Sequence, residues 1–102
     1  MDKFVKDDLV AVLVSPGYGA GWYSWSNDES MLFDPGLVQL ILKEATFEEK
    51  LEYASTRWPD AYVGGLNDVE VEWVPVDTEF MIEERDGSET IAYKIHDGWL
   101  RA

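Results

Sequence analysis

The chain has 102 residues, the size of one ordinary domain; 46% of them are hydrophobic and 14% aromatic, which excludes a disordered segment. Lys and Arg number 8 against 21 Asp and Glu, a formal net charge of −13. That sign repels nucleic acid and anionic lipid and favours fast encounter with basic partners. Cysteine is absent, which excludes disulfides, thiol catalysis and Cys-based zinc sites and suits a reducing cytoplasm.

Residues 1–8 lack the apolar core of a signal sequence, and the run Leu9–Val14 is far shorter than the ~20 residues needed to span a bilayer. An intracellular, soluble protein with no membrane contact is expected. Leu9–Val14 is continuously apolar and β-branched, the pattern of a strand buried on both faces. Pro16, Gly17, Gly19 and Gly21 break it. Trp22-Tyr23-Ser24-Trp25 alternates bulky and polar residues and reads as a short returning strand. Residues 27–30 read as a turn.

Asp34-Pro35 is a helix start, with Asp as cap and Pro at the first helical position. The helix expected over Pro35–Glu44 is apolar over most of its circumference, so it is buried or lies in an interface, including that of a homodimer. Thr46-Phe47-Glu48-Glu49 fits a capping box opening a second helix, with Phe47, Leu51, Ala54 and Trp58 on its inner face and Pro59 as its stop. Residues 60–68 form a loop. Period two then takes over. A strand over Val69–Trp73 ends at Pro75, and a strand over Thr78–Arg85 turns Phe80 and Ile82 inward. Asp86-Gly87 is a hairpin turn, and a strand over Glu89–His96 turns Ile91, Tyr93 and Ile95 inward. A second turn, Asp97-Gly98, precedes Trp99 and Leu100. The expected fold is a single α+β domain over residues 1–102, a mainly antiparallel sheet packed on two helices.

Two features invite a functional reading. Gly17-Tyr18-Gly19 superficially resembles a phosphate loop. The dinucleotide pattern fails, because the third glycine falls one residue early at Gly21 and aromatics follow instead of a helix. No Lys or Arg lies between Lys6 and Lys43 to neutralise a phosphate. What survives is a binding loop in which Gly17, Gly19 and Gly21 let a ligand approach backbone N–H groups. Tyr18, Trp22 and Trp25 would offer stacking faces beside it. A tight strand connection with aromatics in the core is the other reading. The second feature is acidic. With Val71 and Phe80 inward, Glu70, Glu72, Glu79 and Glu83 point outward on neighbouring strands and form a negative face suited to a basic or nucleic-acid-binding protein. The same charges equally serve to protect a sheet edge.

Catalysis finds little footing. His96 is the lone histidine, and no Ser/His/Asp set can be built around it. The EF-hand pattern is absent, and neither a metal nor a cofactor is expected. Val14–Trp22, Trp58-Pro59-Asp60-Ala61-Tyr62 and Asp86-Gly87-Ser88-Glu89 together resemble small acidic proteins of bacteriophages and prophages, over most of the chain. The resemblance implies a context, inhibitors or DNA-like decoys acting on host proteins, and brings no residue roles with it. The reading is a non-enzymatic acidic binding protein, with small-ligand sequestration by the loop or an assembly subunit as alternatives.

Overall fold

The computed structural model describes residues 2–93 and 100–101. Ile95, His96, the Asp97-Gly98 turn and Trp99 lie outside them. Leu9–Val14 is strand β2, flanked by β1 (Val5–Lys6) and β3 (Glu70–Pro75) in an antiparallel sheet of order β1-β2-β3. Both faces of β2 are buried. Ala11 and Leu13 meet Trp22, Leu37, Val38, Ala54 and Trp58, while Val10, Val12 and Val14 meet Leu32, Phe33, Val74 and Phe80. This two-sided burial is why the strand is continuously apolar rather than alternating. The α+β class and the antiparallel pairing are those expected.

The strands divide into two sheets. β4 (Glu79–Arg85) and β5 (Ser88–Tyr93) form a hairpin, and β6 (Leu100–Arg101) pairs with the other side of β4, giving the order β5-β4-β6. The hairpin lies over the Val10/Val12/Val14 face of the first sheet through Phe80, Ile82 and Ile91. Its turn, Asp86-Gly87, has φ of 52° and 84°, the double left-handed geometry that Asp-Gly favours. β1 was not foreseen. Its link to β2 is a two-residue turn of the same hand, but made by Asp7 and Asp8 (φ 54° and 63°), so no glycine marks it.

Three helices cover the rest: α1 (Ser30–Phe33), α2 (Pro35–Leu42) and α3 (Phe47–Arg57). Residues 30–33, expected in part as a turn, bury Met31, Leu32 and Phe33 against the two faces of β2. The Asp34 carboxylate caps α2 by accepting from the Leu37 N–H at 2.9 Å. Thr46 caps α3 by accepting from Glu49 N–H at 3.2 Å. A 3-10 helix, Gly64–Asp68, interrupts the expected loop. The inner face assigned to α3 needs correction. Ala54 and Trp58 are buried, but Phe47 and Leu51 are exposed, as is Leu42 at the end of α2. Tyr93 is likewise exposed rather than inward.

Helix α2 stops with a Schellman arrangement: Ala45 N–H donates to Leu40 O and Glu44 N–H to Ile41 O, both at 3.0 Å. The left-handed residue this requires is Glu44, at φ 58°. A side chain there is strained, and a carboxylate at a helix C-terminus opposes the helix dipole. Glu44→Gly is therefore expected to stabilise the fold by about 1 kcal/mol, read as a rise of roughly 5 °C in thermal denaturation. An unchanged or lower Tm would contradict this account of the helix end.

Candidate binding surface

Strand β5 carries, at its second position, a charged residue in the phase of its inward side chains. Glu89 is fully buried, with no exposed surface. Its Oε1 accepts from Ser15 N–H at 2.9 Å. Its Oε2 accepts from Trp22 N–H at 3.0 Å, Ser24 N–H at 2.8 Å and the Ser24 hydroxyl at 2.6 Å. The Glu89 N–H in turn donates to Ser15 O at 2.8 Å. One side chain thus collects both ends of the glycine/aromatic loop. This overturns the strand expected over residues 22–25. The alternating N–H groups of Trp22 and Ser24, which a partner strand would have taken, go to a carboxylate instead. Hydrogen bonds to a buried charged acceptor are each worth about 1.5–3 kcal/mol, so this anchor dominates the loop's conformation.

Directly across the hairpin from Glu89 stands Glu84. Its Oε2 accepts from the Trp25 indole N–H and from Gly87 N–H, each at 3.1 Å. Gly19 N–H donates to Asp86 O at 3.2 Å, and the Gly19 carbonyl packs where a Gly87 side chain would begin. The loop therefore lies along the hairpin turn, and Gly87 is required both for its φ and for that contact.

The burial of the loop's side chains separates those that fill the core from those that face solvent. Trp22 was a stacking candidate; it is buried completely, packs edge-on against Trp58 (centroids 5.5 Å apart, 83°) and donates its indole N–H to Met31 O at 2.5 Å. It is a core residue and no contact surface, and Gly21, also a candidate, is buried, with Trp25 Cδ1 and Nε1 standing where its side chain would begin. Tyr18 and Trp25 remain accessible, at 78% and 48% exposure. Trp25 stacks on Tyr62 (5.7 Å, 25°), itself 53% exposed, and Ser26 Oγ donates to Tyr62 O at 3.1 Å. Tyr62 was not a sequence candidate, because nothing in residues 60–68 signals that the loop folds back on Trp25.

The four-glutamate face also needs correction, since β3 and β4 are not paired and belong to different sheets. Glu70 and Glu72 lie opposite Val14 and Val12, on the face of the first sheet that the hairpin partly covers. Glu79 and Glu83 lie on the side of β4 opposite to Phe80. Glu70, Glu72 and Glu83 are exposed and Glu79 is half-buried. Gly17 and Glu70, taken from the two separate expectations, meet in one shallow groove of about 460 Å³ with Asp68. Gly19 is exposed beside Tyr18.

A second region centres on Asp34. Besides capping α2, its carboxylate accepts from Tyr53 OH at 2.6 Å and from Arg57 Nε at 3.2 Å. Arg57 lies over the Trp58 ring, 5.5 Å from its centroid. Asp34, Tyr53 and Arg57 line a cleft of about 710 Å³ with Asp2, Ser30, Pro35 and Gly36. Burial, then the hydrogen bond to Asp34 and the Asp34 charge, push the Tyr53 hydroxyl up to about 12, with Arg57 opposing. Burial, then the charges of Glu29 and Glu89, also raise Tyr23. Among the described residues no group of three or more His, Cys, Asp or Glu could hold a metal ion, and no helix is long and apolar enough to cross a membrane.

Comparison with protein-family models, curated proteins and solved structures finds no match to this chain.

A tyrosine that stays neutral to higher pH in the folded state stabilises the fold below its unfolded value of 10.0 and loses that contribution as pH rises through about 12. Folding stability is thus expected to fall between these limits, and a tyrosinate absorbance step near pH 12 should vanish in Tyr53→Phe. That variant should also lose about 1 kcal/mol at neutral pH with its hydrogen bond to Asp34. A titration unchanged by the substitution would contradict the assignment.

Proposed function

We propose that the protein is a non-enzymatic binding module that docks onto a basic partner protein, with Trp25, Tyr62 and Tyr18 as its contact surface. The observation that supports this most is the Trp25–Tyr62 stack, two half-exposed rings held in place by hydrogen bonds and by a loop anchored on Glu89. Aromatic side chains are the residues that most often dominate binding energy at interfaces, and rings fixed beforehand lose little entropy on binding. The net charge of −13 steers a cationic partner toward the molecule, and Glu84 holds the Trp25 edge of the stack.

The surface supported here is the loop rather than the four-glutamate face, whose members are split between two sheets. Acting on a host protein in the cytoplasm as an inhibitor or decoy is the form of this function that the likeness to phage proteins suggests. A homodimer could cover exposed hydrophobic residues such as Leu42, Phe47 and Leu51. Self-repulsion between two chains of charge −13 opposes it, so a partner of opposite charge is preferred.

Capture from a cell lysate at low and at high salt, by the wild type and by the Trp25→Ala/Tyr62→Ala variant, tests the proposal. A basic protein should be retained at low salt, weakened at high salt and lost by the double variant. Retention that the variant does not diminish, or no retention at low salt, would contradict it.

A further inference from the structure

We infer that the exposed part of the Trp25 indole, with Glu84 at its edge, receives an arginine side chain of the partner. This rests on the binding reading above and names the group recognised. Three features of the site lead to it. The indole is fixed on several sides: its N–H donates to Glu84 Oε2 at 3.1 Å, Tyr62 stacks against it, and its Cδ1 stands where a Gly21 side chain would begin. It nonetheless keeps 48% of its surface exposed. Glu84 uses one carboxylate oxygen, Oε2, for both Trp25 and Gly87. Among the described residues its Oε1 accepts no hydrogen bond. The ion pair found among the described residues, Arg57 with Asp34, lies elsewhere, and no cation of these residues neutralises Glu84.

An indole next to a carboxylate that no cation of the described residues pairs selects for a group that is planar, cationic and a multiple donor. A guanidinium meets all three requirements at once: it lies on the ring and donates to the carboxylate in its own plane. A lysine ammonium is compact and strongly hydrated, so it can use the carboxylate but gains less from the ring. A nucleotide could stack on the indole, but its phosphate meets Glu84 and a chain of charge −13.

The test compares two peptides of equal length and charge, one alternating Arg and Gly and the other Lys and Gly. Binding is followed by the backbone N–H resonance of Gly87, which sits at the Glu84 carboxylate and is present in every variant, with the remaining amide resonances reporting that the fold is intact. The Arg peptide should bind at least about 5-fold more tightly than the Lys peptide. That ratio should collapse toward 1 in both Trp25→Leu and Glu84→Gln. Both positions are exposed, so neither substitution opens the core. Equal affinities in the wild type, or a preference that survives in either variant, would overturn the inference. The outcome separates from that of lysate capture. Loss of the captured partner in the Trp25→Ala/Tyr62→Ala variant, together with equal peptide affinities, leaves the binding module standing and removes the arginine pocket. A clear Arg preference with no captured protein does the reverse.

Discussion

Two carboxylates placed directly across a hairpin should repel each other, and here they organise the molecule. Glu84 and Glu89 face the loop between β2 and α1. Together they accept from the N–H groups of Ser15, Trp22, Ser24 and Gly87, the Trp25 indole and the Ser24 hydroxyl. The loop supplies the donors that offset repulsion and desolvation, and the carboxylates supply the partners that an irregular loop lacks. Burying a carboxylate without a counter-cation is costly unless its acceptor capacity is filled, and for Glu89 it is filled mainly by backbone.

From this anchor the two layers of the core follow. Holding Ser15 and Trp22 to the start of β5 fixes the hairpin over one face of β2 and places the Trp22 ring against the other face, between Leu13 and Trp58. The same constraint turns Trp25 outward onto Tyr62. The loop therefore both fills the core and displays a surface, with Trp22 going inward and Tyr18 and Trp25 outward. The Asp34 carboxylate plays a comparable part at the other end, joining the start of α2 to Tyr53 and Arg57 of α3.

Much of this was legible in the residues. The buried central strand, both helix caps and the Asp86-Gly87 turn carry local signals, because each depends on side chains within a few positions. What was not legible depends on contacts across the chain. Tyr62 reaches Trp25 over 37 positions, and the β1–β2 turn is built from two aspartates where a glycine would have advertised it. Phe47 and Leu51 have the correct helical phase but stay exposed, because burial is decided by what packs against the helix and not by its phase. Glu89 did leave a trace. It falls in phase with Ile91 on an alternating strand, a charged residue on an apolar face. The abundance of acidic residues concealed it, since one glutamate among 21 Asp and Glu draws no notice.

The central claim, that a buried carboxylate holds an irregular loop as firmly as a sheet holds a strand, is tested most directly by amide hydrogen exchange in the wild-type protein. The N–H groups of Ser15, Trp22 and Ser24 are expected to exchange as slowly as those of Val12 and Leu13 in β2, opening only when the whole fold opens. Exchange of these three amides at the rate of exposed loop positions such as Asn27, with β2 still protected, would contradict it.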